Sequence, residues 1–220
     1  KKNTTYPAWH PEGRFIAFSS NTTRQTFYLH GKKPLEVYDN ASDLILYDIE
    51  KEEVLTDPRF MTAQTLESFP AWAPDGSHLY YVAADAGSLP EELESMHYHI
   101  LRVSFDEETR TFGPQIDTVF KADAGSASYP RVSADGRYLF YTWSAYGTFP
   151  VWHSEADLRM IDLHTMEPVD VSIWNDEDEA DSYHSWSSDG RWVLFGSRRQ
   201  DGRYTRLYLA YFDRDGHPHK

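Results

Sequence analysis

The chain has 220 residues, of which 21 are Lys or Arg and 35 are Asp or Glu, for a formal net charge of −14. That balance argues against nucleic acid and against an anionic membrane surface, because both need a concentrated positive face. No apolar run approaches the roughly 18 residues of a spanning helix, so membrane insertion is not expected, and the absence of cysteine excludes disulfide frameworks, thiolate metal sites and cysteine nucleophiles.

Seven Trp, 15 Tyr and 12 Phe are interleaved with 12 Gly and 12 Pro along the whole chain. Aromatic and β-branched runs broken by Gly, Pro, Asp and Ser read as an all-β domain, and no long segment carries the 3.6-residue period of an amphipathic helix. In chain order the same unit recurs four times. It begins at Tyr6-Pro-Ala-Trp-His-Pro-Glu-Gly-Arg14, Phe69-Pro-Ala-Trp-Ala-Pro-Asp-Gly-Ser77, Tyr129-Pro-Arg-Val-Ser-Ala-Asp-Gly-Arg137 and Tyr183-His-Ser-Trp-Ser-Ser-Asp-Gly-Arg191.

Each opening stretch predicts a first strand closed by a tight turn, with Gly13, Gly76, Gly136 and Gly190 at positive φ. Second strands follow at 15–18, 78–81, 138–141 and 192–195. They are apolar on both sides, which predicts that both faces are covered. Third strands are expected at 44–47, 100–105, 158–161 and 207–212, and short fourth strands at 53–56, 117–120 and 169–172. Four-stranded units at this spacing describe the blades of a β-propeller, with repeats starting near 6, 69, 129 and 183. The fourth unit is expected to lack its last strand, and the ring to be completed outside the 220 residues. Ser88-Leu-Pro-Glu91 has the form of a capping box and predicts one short helix in a loop.

The repeat resembles the WD-like repeat of the TolB-like bacterial propellers, and the string 183–199 is most similar to TolB-like propeller proteins of bacteria with two membranes. The resemblance covers all four units. It implies a ring of six or more blades and a protein that is periplasmic or otherwise exported. It further implies a binding or scaffolding role, without a cofactor, toward a protein or glycan partner of the cell envelope.

Antiparallel blades sort their connections onto two ends. Turns after first and third strands are short; those after second and fourth strands are long, at 20–42, 84–97, 144–156, 58–68, 121–128 and 174–181. Long loops on a rigid scaffold collect binding function. Tyr146, Phe149, Trp152 and His153 share one such loop, where aromatic rings suit sugars or protein surfaces or else fold inward to cap the blade. His184 is expected at the same end. Asp176, Glu177, Asp178, Glu179 and Asp181 read as a solvated acidic loop, with a hard cation as the alternative; no metal site is assigned. Two enzyme classes compete with the binding module. One is the propeller of a prolyl-oligopeptidase-like serine peptidase. The other is an oligogalacturonate-lyase-like enzyme, which the resemblance implies would hold a divalent metal through histidines such as His153 and His184.

Overall fold

The computed structural model describes residues 3–29 and 33–219. Its sixteen strands form four antiparallel four-stranded sheets, each following chain order from the inside outward. Blade 1 comprises β1 (Asn3–Trp9), β2 (Phe15–Phe27), β3 (Leu35–Asp48) and β4 (Glu53–Leu55). Blade 2 comprises β5 (Thr65–Trp72), β6 (His78–Asp85), β7 (His99–Asp106) and β8 (Thr111–Phe120). Blade 3 comprises β9 (Ser126–Val132), β10 (Tyr138–Ser144), β11 (Asp157–Asp162) and β12 (Glu167–Val169). Blade 4 comprises β13 (Asp181–Trp186), β14 (Trp192–Ser197), β15 (Arg206–Phe212) and β16 (Pro218–His219). The first strands of successive blades pack on one another, which is the arrangement of a β-propeller.

The repeat motif accounts for this geometry residue by residue. In blade 3, Gly136 N–H donates to the Ser133 carbonyl at 2.9 Å, and Asp135 accepts from Ser133 Oγ at 2.5 Å and from Arg137 N–H at 3.1 Å. The arginine then pairs with the aspartate that ends the third strand, Arg137 with Asp162 at 2.8 Å and Arg14 with Asp48 at 3.2 Å. The aromatic before each proline is less ordinary. Tyr6, Phe69 and Tyr129 take φ of 55°, 50° and 54°, and the strand pairing skips register there. Such a backbone costs about 1–2 kcal/mol for a non-glycine residue. The bulge brings the rings of neighbouring first strands together, with centroids 4.2 Å apart for Tyr6–Phe69, 4.6 Å for Phe69–Tyr129 and 5.3 Å for Tyr129–Tyr183. Contacts of this kind offset the strain. Apolar cores fill the spaces between blades 1 and 2, 2 and 3, and 3 and 4.

Four expectations are corrected. Most of the loop expected at 20–42 is strand: β2 and β3 run on and pair from Asn21 opposite Ser42 to Phe27 opposite Leu35, while residues 30–32 lie outside the described residues. Thr and Phe in the first arm and Val and Tyr in the second have strand propensity, and the arms satisfy one another's backbone groups. Blade 4 does have its fourth strand. Asp213 accepts from the Asp215 and His217 N–H groups at 2.9 Å and folds the chain back, so that Tyr211 opposes His219. The expected helix is a single 3-10 turn, Leu93–Ser95, and the carboxylate that accepts the Ser88 N–H belongs to Glu92, not Glu91. Finally, β14 is covered on one face only, because Trp192 and Leu194 are exposed while Val193 and Phe195 are buried.

Candidate functional site

A cavity of about 640 Å³ opens at the long-loop end, between the blade 1 hairpin, the connection from β10 to β11, and the segment after β14. Its wall includes Lys33, Tyr146, Trp152, His153, Glu155 and Arg198. Of the residues singled out in the sequence, Tyr146, Trp152 and His153 meet here. Phe149 does not line it; its ring turns inward and packs on Phe69 and Tyr6, with centroids 5.6 and 6.2 Å away. His184 lies in the core between blades 3 and 4, its ring 4.3 Å from that of Phe140. Burial pushes the His184 imidazole down to about 3, which keeps it neutral.

Glu36 is the hub of the cluster. It is buried on β3 and accepts from the Tyr146 hydroxyl at 2.8 Å, from Lys33 Nζ, and from His153 Nε2 at 3.4 Å. The second ring nitrogen of His153 faces Glu155 Oε1 at 3.2 Å. Burial by itself would lower the His153 pKa, but the carboxylates on either side outweigh it and hold the group above the ordinary histidine value. The same contact holds the Glu155 carboxyl down to about 2, and burial pushes the Tyr146 phenol up to about 12. Each ring nitrogen of His153 thus faces a carboxylate, an arrangement that favours its charged form and leaves neither nitrogen free.

Beside this network the buried Arg198 guanidinium lies over the Trp152 indole, 3.6 Å from the ring centroid. Its end is held by the carbonyls of Val151 (3.4 Å) and Gly202. The neighbouring arginine organises the acidic loop: Arg199 binds Asp181 Oδ1 at 2.8 Å and the Trp174 carbonyl at 2.6 Å. Asp181 is therefore buried and paired, whereas Glu177 and Asp178 are exposed and Glu179 reaches the cavity wall. Among the described residues, no three His, Asp or Glu side chains are grouped so as to hold a metal ion. Lys33, Glu36 and Arg198 escape sequence reasoning because the first two lie in the stretch read as a loop. Arg198 did leave a signal, as part of a charged pair directly after an apolar second strand.

No family model and no curated protein sequence matches the chain. Its fold, however, is found in solved structures. A TolB-type protein of Agrobacterium tumefaciens superposes with a TM-score of 0.52 at 16% identity, over 99% of this chain and 80% of that one. An oligogalacturonate lyase in complex with manganese gives 0.55 at 18% identity, over 97% of this chain and 49% of the lyase. A puromycin-hydrolyzing peptidase of Mycobacterium tuberculosis gives 0.55 at 13%, over 97% of this chain and 30% of the peptidase. What this chain shares with all three is a TolB-like β-propeller fold.

Proposed function

We propose that the chain is a non-enzymatic binding module of the cell envelope, exported to the periplasm, that holds a protein or glycan partner at its long-loop end. The observation that carries this reading is the state of the cavity wall. Tyr146 and His153 are tied to Glu36 and Glu155, and Trp152 is backed by Arg198, so the surface is organised before any ligand arrives. Preorganised aromatic and charged groups favour recognition, since little rotamer entropy is left to lose. A catalytic base would need an unengaged lone pair, and His153 offers none in this arrangement.

The test is a tryptophan-fluorescence titration of the wild type and Trp152→Ala with defined muropeptides, neutral and acidic oligosaccharides, and short peptides. One of these classes should saturate the wild type. Trp152→Ala should weaken it by about thirtyfold, the scale of one aromatic anchor. Glu52→Ala and Glu108→Ala, in short turns at the other end, should leave affinity unchanged. Manganese-dependent cleavage of pectic oligosaccharides, or peptide hydrolysis, lost in His153→Ala would overturn the reading.

A further inference from the structure

Arg198 stands apart from the other arginines. It is 4% exposed and is the one Lys or Arg buried among the described residues. Less buried arginines reach a carboxylate each: Arg14 holds Asp48 at 3.2 Å, Arg137 holds Asp162 at 2.8 Å and Arg199 holds Asp181 at 2.8 Å. Arg198 is paired with none among the described residues. Its contacts are the Val151 and Gly202 carbonyls and the Trp152 ring, and its buried Nε–H has no acceptor. Burial lowers its pKa, while Glu179 and Asp201 act the other way through space; a guanidinium keeps its charge even so.

A buried charge without a counterion is strongly destabilising, and an ion pair of good geometry offsets that cost. Arg198 lies in the cavity wall. The two carbonyls occupy two of the five guanidinium donors, which leaves donors for an anion. The other charges of the wall narrow the choice of ligand. Glu155 is tied to His153 at 3.2 Å and Asp201 to Arg206 at 2.8 Å, while Glu179 has no hydrogen bond or ion pair among the described residues. A chain of uronic acids would bring one carboxylate per ring toward these three. Stacking surface for a sugar is also limited, because Arg198 covers Trp152 and both Lys33 and His153 crowd the Tyr146 ring, at 4.8 and 4.6 Å from its centroid. A peptide end instead brings a single carboxylate followed by amide N–H donors, which carboxylates accept.

We propose, resting on the binding-module reading above, that this cavity takes the C-terminal end of a peptide, with the terminal carboxylate on the Arg198 guanidinium. The guanidinium is a planar fork that matches a carboxylate. Trp152 fixes its plane from one side, and the Val151 and Gly202 carbonyls fix its rotation. The ligand carboxylate supplies the counterion that the surrounding side chains do not.

Pools of N-acetylated tripeptides, one with free-acid and one with amidated C-termini, are titrated into the 220-residue chain. Binding is read by tryptophan fluorescence and by the Arg198 Nε–H resonance, assigned through its loss in Arg198→Lys. The wild type should bind the free acids at least about tenfold tighter than the amides, the scale of one charge-assisted pair, and the Nε–H resonance should shift with the acids alone. Arg198→Gln should bind both pools alike. Should that variant fail to fold, the wild-type resonance decides, since a signal unmoved by saturating free acid overturns the proposal. Equal affinity for acid and amide in the wild type also overturns it and leaves the binding module standing. Tighter binding of trigalacturonate than of the free-acid pool overturns it in favour of an acidic glycan. Failure of every probe to bind at millimolar concentration, muropeptides and neutral oligosaccharides included, removes the binding-module reading together with the proposal.

Discussion

Replacing Gly76 by alanine separates two costs that a turn glycine usually hides. Gly13 and Gly76 hold equivalent places in blades 1 and 2, at φ of 75° and 73°, so the backbone strain of a Cβ is the same at both. That strain is about 1 kcal/mol for alanine in the left-handed region. The surroundings differ. A Cβ on Gly13 meets nothing within 4 Å, whereas on Gly76 it falls 2.3 Å from His10 Nε2. His10 is buried, packs edge-on to Trp72 with centroids 4.7 Å apart, and bonds the Gly76 carbonyl at 3.2 Å. Displacing it breaks that bond and leaves a buried polar group unpaired, for a further cost of about 1–3 kcal/mol. Gly13→Ala should therefore lower the melting temperature by about 3 °C and Gly76→Ala by about 9 °C, at about 3 °C per kcal/mol for a domain of this size. Differential scanning calorimetry of the two variants reads the difference. Equal shifts would refute the packing argument, and no shift in either would refute the positive-φ turn.

Burial, reinforced by Asp43, pushes the Glu67 carboxyl up to about 7 from its ordinary 4.5, with Tyr81 and Tyr98 also near it. The folded state then holds a proton that the unfolded state releases, so the stability this provides is full below pH 4.5 and is lost as pH rises through about 7. Glu67→Gln should remove that loss, gaining at most about 3 kcal/mol over the wild type above neutral pH; denaturant melts at pH 5 and pH 8 that move in parallel would contradict it. Arg199→Gln leaves the fully buried Asp181 without its cation and should destabilise by about 3 kcal/mol, with Asp181→Asn in the same chain recovering part of the loss in urea melts. The His153 imidazole should titrate above the ordinary histidine value by NMR, and Glu36→Gln should lower its midpoint; an unchanged midpoint would show that Glu36 does not hold the proton. Phe149→Ala should cost about 2 kcal/mol of stability through its contacts with Tyr6 and Phe69 and leave ligand affinity unchanged, whereas Trp152→Ala should weaken binding.

The four repeats, their strand order and the positive-φ turns were legible in the sequence because they are local properties. An Asp-Gly turn, an Arg two residues after the Asp and a four-residue apolar strand lie within one short stretch of chain and specify their geometry there. Even the two ends of the propeller could be sorted, since strand direction dictates where each loop emerges. The pairing of 21–27 with 35–42 was hidden because polar residues interrupt the strand formers in each arm, and the arms earn their order only by pairing with each other. The cavity was hidden for a stronger version of the same reason: Glu36 and Tyr146 are 110 residues apart in sequence. Phe149 and Trp152 are three positions apart in one loop, yet the first enters the core and the second lines the cavity. Their neighbours decided that: Phe69 and Tyr6 on one side, Arg198 on the other. Likewise β14 reads as apolar on both faces, like the second strands of blades 2 and 3. Whether such a strand is covered depends on which sheet lies beside it, and contacts of that range are decided by tertiary structure alone.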